Sequence, residues 1–181
     1  MQTLGQIKSL LSAHGLRPKK RFGQNFLHDQ GKLEQIIAAA TVQPGEVVLE
    51  VGPGTGTLSL ALLEAGATLI AVEIDENLSP ILREVFAPFG QRASLLVTDV
   101  LAGKHALAPQ VIEAIADRPF QMVANLPDHV ASPLLVNLAL DHPAMHQAVV
   151  MIQREVAQRL TAGPGGKDYG PLGIIIQALC A

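Results

Sequence analysis

The spacing of apolar residues changes several times along the chain, and each change predicts a change of secondary structure. Between residues 4 and 11 the leucines and the isoleucine recur every three or four positions, which predicts a short amphipathic helix that ends at Gly15. A second helix is predicted to begin after Asp29, whose side chain is suited to an N-cap, and to end before Pro44. These two helices precede the first strand.

Short apolar runs then alternate with amphipathic segments. The predicted strands cover Val47–Val51, Thr68–Ile74, Ser94–Val97, Gln121–Ala124 and Ala148–Ile152. The predicted helices between and after them cover Thr57–Ala65, Asn77–Phe86, Leu107–Ala116, Pro133–Leu140 and Arg154–Leu160. Strands that alternate with helices indicate βαβ units, so we expect an α/β fold with a mainly parallel sheet and helices on both faces.

Composition narrows the class of protein. The 181 residues, 49% of them apolar, are enough for one ordinary domain, and a single cysteine excludes a disulfide-stapled scaffold. With no long apolar run and no secretory signal pattern, we expect a cytoplasmic protein outside the membrane. The first 32 residues carry six basic groups and one acidic group, whereas the rest carries seven basic and fifteen acidic groups, so a basic arm precedes an acidic body.

The first predicted strand runs into a glycine-rich turn. Ligands bind beyond the carboxyl ends of the strands in open α/β sheets, and glycines let the backbone approach a ligand closely. The glycines stand at Gly52, Gly54 and Gly56, whereas the dinucleotide fingerprint requires its third glycine one position later, where this chain has Thr57. The spacing therefore disfavours NAD and FAD.

Carboxylates follow the next two strands. Glu73 stands where an acidic residue accepts hydrogen bonds from the ribose hydroxyls in nucleotide-binding βαβ units. Asp99 could accept a hydrogen bond from the exocyclic amine of an adenine. Each acid alone is more often a solvated loop residue. Together, in order and each at a strand end, they favour a cofactor that carries adenosine without a pyrophosphate, of which S-adenosylmethionine is the obvious example.

Several motifs together identify a family. They are the basic segment Lys20 to Leu27 (KRFGQNFL), the turn Glu50 to Gly56, the acids after strands two and three, Asn125 to Asp128 (NLPD) after strand four, and the helix Gln153 to Leu160. With these motifs the chain resembles the small-subunit ribosomal RNA adenine N6,N6-dimethyltransferases, over essentially all of its length.

The resemblance implies a Rossmann-like, S-adenosylmethionine-dependent methyltransferase that dimethylates adenine N6 in small-subunit rRNA during ribosome biogenesis. The cofactor-binding residues that it implies are Gln24, Asn25, Leu27, Gly52, Gly54, Glu73, Ile74, Asp99, Val100 and Asn125. The residues expected to meet RNA phosphates are Arg17, Lys19, Lys20 and Arg21. The implied partner is small-subunit rRNA or a pre-ribosomal particle.

The catalytic residues implied by the resemblance are Asn125, Leu126, Pro127 and Asp128. An adenine amine is a poor nucleophile because its lone pair is delocalised into the ring, so the Asn125 amide oxygen and a backbone carbonyl near Leu126 and Pro127 are expected to accept its N–H bonds. Asp128 departs from the family, which has an aromatic residue there to stack on the base. Stacking is worth about 1–3 kcal/mol, so we expect impaired activity or, alternatively, a catalytically silent cofactor- and RNA-binding module.

The resemblance also sets expectations about organisation. Residues 1–45 are expected to form the N-terminal helices and the basic segment, and residues 46–181 the methyltransferase core. The family continues with a C-terminal helical domain, so we expect this chain to hold the catalytic domain only, with an unfinished sheet edge open to self-association. The six histidines are scattered without metal-ligand spacing, and no metal site is expected.

Overall fold

The computed structural model of the chain describes residues 2–17, 26–103 and 106–180, apart from the side chain of Asp128. The helices in these stretches are α1 (Leu4–Ala13), α2 (Gln30–Ala40), α3 (Thr57–Glu64), α4 (Ser79–Phe86), α5 (Pro109–Ile115), α6 (Asp128–Asp141), α7 (Arg154–Thr161) and α8 (Pro171–Leu179). The strands are β1 (Val47–Val51), β2 (Thr68–Glu73), β3 (Ala93–Val97), β4 (Phe120–Asn125) and β5 (Met145–Met151).

The strands form one parallel sheet in the order β3-β2-β1-β4-β5. The chain moves outward from β1 through β2 to β3 and then returns to the other side of β1, where Val47 is in register with Phe120 of β4. The direction of winding therefore reverses between β1 and β4. A crevice opens at the carboxyl ends of the strands at such a point, and ligands bind there in doubly wound folds.

The sheet is covered by helices on both faces. Within β1, Val48 packs toward α1, α2, α3 and α4, while its neighbour Leu49 packs toward α5 and α6, and both side chains are 0% exposed. In β4, Val123 packs on the same face of the sheet as Val48, and Met122 packs on the same face as Leu49. Central strands buried on both faces have no polar alternation, which is why β1 was recognisable as a continuous apolar run.

Side-chain caps fix the starts of the two N-terminal helices. The Thr3 hydroxyl accepts from the Gln6 N–H at 3.2 Å while the Thr3 N–H donates to the Gln6 side chain at 2.8 Å, a reciprocal capping box for α1. The Asp29 carboxylate accepts from the Lys32 N–H at 3.1 Å, which confirms the predicted N-cap of α2. The apolar faces of both helices join the same core as one face of the sheet.

The structure confirms the predicted α/β class and the alternating elements, and it corrects the starts of one strand and one helix. Strand β5 was predicted to begin at Ala148 and instead begins at Met145. Helix α6 was predicted to begin at Pro133 and instead begins at Asp128. Pro133 lies inside the helix, where its ring removes one backbone hydrogen bond without ending the helix. The apolar segment after Gly170 forms α8, which packs against α6 and α7. Among the described strands β5 lies at one edge of the sheet, and self-association there stays a prediction.

Candidate functional site

A cavity of about 540 Å³ opens at the carboxyl ends of the strands, at the crevice between β1 and β4. This volume lies within the range of small-molecule sites. Its walls come from the turn after β1 and from the residues that follow β2, β3, β4 and β5. Residues that are far apart in the sequence therefore meet in one concave surface.

The glycine turn leaves room that side chains would fill. At Gly54 the backbone is left-handed (φ +61°), and an added Cβ would lie 2.9 Å from Cδ1 of Phe26. At Gly52, also left-handed (φ +71°), an added Cβ would lie 3.6 Å from Cδ of Pro127, so the turns after β1 and β4 are close neighbours. The positive φ and the limited space explain why glycine is required here. Backbone lines the cavity at this point and can approach a ligand.

Glu73 joins the turns that follow β1 and β2. Its Oε2 accepts from the Gly54 N–H at 3.3 Å and its Oε1 accepts from the Asp75 N–H at 2.8 Å. Burial raises the pKa of Glu73 above its ordinary value, while the N–H groups of Asp75 and Gly54 act in the opposite direction. Each carboxylate oxygen can accept a further hydrogen bond. Glu73 can therefore bind a pair of hydroxyl groups from the cavity.

Glu50 is a second buried carboxyl group in the wall. It lies in the central strand β1, is 1% exposed, and accepts a 2.5 Å hydrogen bond from the Ser59 hydroxyl. Burial raises the pKa of Glu50 from 4.5 to about 8, the bond from Ser59 lowers it, and the charge of Glu73 adds to the rise. Glu50 therefore carries a proton over much of the neutral range when the chain is folded.

The end of β3 supplies a polar group beside apolar surfaces. The exposed Asp99 side chain accepts from the Leu101 N–H at 3.0 Å, which holds the turn after β3. Next to it Val100 is 4% exposed, and across the cavity wall Ile74 is 45% exposed. A carboxylate near two branched apolar side chains can bind a flat heterocycle that carries an amine.

Asn125 ends β4, and Leu126 and Pro127 follow it in a constrained backbone. Asn125 is half-buried in the cavity wall, and the Leu126 N–H donates to the Met151 carbonyl at 3.0 Å. The Pro127 carbonyl accepts from the N–H groups of Val130 and Ala131 at 3.0 and 3.1 Å, because α6 begins directly after it. The neighbouring strand and helix thus fix the backbone that presents Asn125.

The cavity brings together most of the residues predicted from the sequence, and their individual roles stay predictions. Those that line it are Leu27, Gly52, Gly54, Glu73, Ile74, Asp99, Val100, Asn125, Leu126 and Pro127. Gln24, Asn25, Lys19, Lys20 and Arg21 lie outside the described residues. Asp128 is the first residue of α6. Arg17 is exposed after the end of α1 and is not among the described residues that line the cavity.

Sequence reasoning missed several residues of the wall. Phe26, Glu50, Thr55 and Thr57 line the cavity. The sequence pattern indicated Glu50 only as the first residue of a family motif. A carboxylate in the middle of a continuous apolar run was a usable signal for Glu50, since buried acids need a partner. The threonines carry no comparable signal, because their role depends on a contact with the N-terminus.

Within residues 2–17, 26–103 and 106–180, every helix is too short or too polar to cross a bilayer. Those residues also include no group of three or more His, Cys, Asp or Glu side chains placed to hold a metal ion.

Several curated proteins with similar sequences share a name. The chain is 42% identical over 174 residues to ribosomal RNA small subunit methyltransferase A of Magnetococcus marinus, covering 96% of this chain and 61% of that protein. It is 45% identical over 165 residues to the protein of that name from Leifsonia xyli subsp. xyli, covering 91% of this chain and 57% of the relative. The chain thus spans about three fifths of the length of these two relatives.

Solved structures and a family model agree with these relatives. A dimethyladenosine transferase from Plasmodium falciparum is similar with a TM-score of 0.68 and 26% identity, covering 84% of this chain and 52% of that one. The 23S rRNA methyltransferase ErmE is similar with a TM-score of 0.67 and 25% identity, covering 84% of this chain and 57% of that one. The model of the ribosomal RNA adenine dimethylases matches residues 15–181. On the fold, the sequence and the arrangement of strand ends, the chain belongs to the ribosomal RNA adenine dimethylase family.

Proposed function

We propose that the chain binds S-adenosylmethionine and dimethylates adenine N6 in small-subunit ribosomal RNA. One observation carries the proposal: a single cavity joins a glycine turn, Glu73, Asp99 and Asn125, each supplied by the carboxyl end of a different strand. Membership of the ribosomal RNA adenine dimethylase family supports the same proposal. The activity, the substrate and the ribosomal partner are proposals for this chain, which spans only part of its relatives.

The residues of the cavity fit the cofactor. Glu73 would accept hydrogen bonds from the two ribose hydroxyls, since each of its oxygens already accepts one backbone N–H and has capacity for another. Asp99 would accept from the adenine amine, with Ile74 and Val100 on the faces of the ring. Because Gly52 and Gly54 carry no side chain, the remaining part of the molecule could approach the backbone of the turn closely.

The end of β4 is suited to activate an amine. Asn125 would accept one N–H of the target adenine through its amide oxygen, which localises the nitrogen lone pair. Because the Pro127 carbonyl is engaged by α6, the Leu126 carbonyl is the better candidate for the second acceptor. When bound, S-adenosylmethionine supplies the electrophilic methyl group. In each transfer N6 would displace the neutral thioether S-adenosylhomocysteine from the methyl carbon as the sulfur–carbon bond breaks, and one N6 proton would leave to solvent, so two transfers from two cofactor molecules would replace both N–H bonds. The fixed backbone preorganises these acceptors.

The RNA would meet the basic N-terminal segment. The first 32 residues have six basic groups, of which Arg17 is exposed beyond α1. Contacts to phosphates weaken as salt rises, because binding releases counterions. We therefore expect the affinity for rRNA to fall steeply with salt and to fall further when these basic residues are removed.

A catalytically silent module that binds cofactor and RNA is the second candidate. Asp128 favours it, because the motif of the resembling family has an aromatic residue at this position and a carboxylate offers no ring for stacking. The first residue of a helix is also a place where an acid stabilises the helix dipole. Asp128 thus has a structural advantage that is independent of catalysis.

Calorimetric titration of S-adenosylmethionine into the purified chain tests the cofactor site. We expect binding in the wild type, a loss of at least about tenfold in affinity in Glu73→Ala, and no change in Glu113→Ala, an exposed acid on α5. Thermal melts without ligand show whether Glu73→Ala still folds. A folded wild type that does not bind would refute the proposal, and equal affinity of Glu73→Ala would refute the role of Glu73.

Methyl transfer separates the enzyme from the silent module. Small ribosomal subunits without adenine dimethylation are incubated with S-adenosylmethionine and the chain, and N6-dimethyladenosine is measured by mass spectrometry of the nucleosides. We expect product with the wild type and none with a folded Asn125→Ala variant. A wild type that binds the cofactor and forms no product would instead support the silent module.

A further inference from the structure

The glycine turn is held from outside the cavity by the N-terminus of the chain. The Gln2 Nε2 donates to the Thr55 carbonyl at 3.2 Å, and the Gln2 Oε1 accepts from the hydroxyls of Thr55 at 2.7 Å and Thr57 at 3.1 Å. Thr55 and Thr57 are 2% and 5% exposed and both line the cavity. Gln2 is not among the described residues that line it. One side chain therefore bridges two residues of the cavity wall from behind.

The position of Gln2 is fixed by the helix that follows it. The capping box between Thr3 and Gln6 sets the first turn of α1 directly after Gln2. Ile7 and Leu11, 1% and 3% exposed, anchor that helix in the core. Because the helix start is fixed, the Gln2 amide loses little additional freedom when it bonds the turn.

The turn itself benefits from such an anchor. Gly52, Gly54 and Gly56 are all in the left-handed region, and glycines lose more conformational freedom on ordering than other residues. A turn that is already ordered costs a ligand less to bind. Thr57 is also the first residue of α3, so the same contact fixes the start of the helix that borders the cavity.

We propose that Gln2 is a positioning residue that preorganises the turn for S-adenosylmethionine by bridging Thr55 and Thr57. The proposal rests on the cofactor binding proposed above and adds the N-terminus to the site. Glutamine suits the position because its amide donates once and accepts twice. Glutamate would keep the two acceptor contacts and place a carboxylate against the Thr55 carbonyl, so it is a partial substitute.

Titration of S-adenosylmethionine into Gln2→Ala, Gln2→Glu and wild-type chains tests this, with any tag placed at the C-terminus. We expect Gln2→Ala to weaken binding about tenfold, equivalent to about 1.4 kcal/mol, and Gln2→Glu to be intermediate. Gln158→Ala, an exposed glutamine on α7, is the matched control and keeps wild-type affinity. Wild-type affinity in a folded Gln2→Ala variant would overturn the proposal.

A double-mutant cycle shows whether Gln2 acts through the turn. In a Thr55→Val background the effect of Gln2→Ala on affinity should be smaller, because the bond from the Thr55 hydroxyl is already gone, whereas the bonds of Gln2 with the Thr55 carbonyl and the Thr57 hydroxyl remain. An undiminished effect in that background would overturn the proposal. Amide hydrogen exchange of residues 52–57 in the ligand-free chain gives an independent measurement, and we expect faster exchange in Gln2→Ala; unchanged exchange would also count against the proposal.

The two proposals fail in distinguishable ways. If the folded wild-type chain does not bind S-adenosylmethionine, the proposed function and the role of Gln2 are both overturned. If the wild type binds and Gln2→Ala binds equally well, the role of Gln2 alone is overturned.

Discussion

Replacing Glu50 by glutamine tests how a buried carboxyl group of the central strand affects folding. Glu50 is 1% exposed in β1 and accepts a hydrogen bond from Ser59. Glutamine has nearly the same shape, and its amide oxygen can accept the same bond. The substitution therefore removes the ability to ionise and leaves the packing of the strand in place.

The sign and size of the effect follow from the pKa of Glu50. Burial raises it from 4.5 to about 8, so between these pH values the folded chain binds more protons at this site than the unfolded chain. The free energy of unfolding therefore falls as pH rises through this window. At about 1.4 kcal/mol per pKa unit the full rise corresponds to about 5 kcal/mol. Glu50→Gln does not have this loss, so it should match the wild type near pH 5 and be more stable at pH 8.

Urea denaturation at pH 5, 6.5 and 8 is the assay. We expect the advantage of Glu50→Gln over the wild type to grow with pH and to reach on the order of 2–5 kcal/mol at pH 8. Glu64→Gln makes the same chemical change at an exposed position at the end of α3 and should show no such trend. An advantage that stays the same at pH 5 and pH 8 would refute the reasoning.

Four further substitutions, one of them a control, test other parts of the structure. Gly54→Ala and Gly90→Ala both place alanine at a positive φ, where a Cβ is unfavourable. Only Gly54→Ala also meets Phe26, so only it should weaken S-adenosylmethionine binding in a titration. Gln121→Met should raise the free energy of unfolding in urea by about 1–3 kcal/mol, because neither polar atom of this buried amide has a partner among the described residues; a fall would contradict this. Asp128→Tyr should raise methyl transfer roughly 5- to 150-fold if stacking is restored, and an unchanged rate in a folded variant would exclude that explanation.

Central parts of the fold were predictable because they depend on the local pattern of apolar and capping residues. Strand β1 covers the predicted residues Val47–Val51, since a strand buried on both faces is apolar at every position except Glu50. The Asp29 cap was predictable because it depends only on the residues next to it. The strand ends then located Glu73 and Asp99, because parallel strands bring their carboxyl ends to one edge of the sheet.

Other features depend on contacts between distant residues. A proline is usually taken as the start of a helix, and nothing local shows that α6 continues to Asp128 on the other side of Pro133. The bridge from Gln2 to Thr55 joins residues that only the packing of α1 brings together. The Gln121 amide, which has no partner among the described residues, is buried because β4 lies beside the central strand, and no single segment determines that position.

The strand order also determines when the cavity can form during folding. Strands β1, β2 and β3 follow one another along the chain, so the wall with Glu73 and Asp99 needs only successive pairings. The wall with Asn125 needs β4 to return and pair with β1, a loop closure that is entropically more costly and slower. A ligand that contacts both walls binds only after this last pairing. We therefore expect the bound ligand to slow the separation of β4 from β1 and so to slow unfolding of the later half of the fold.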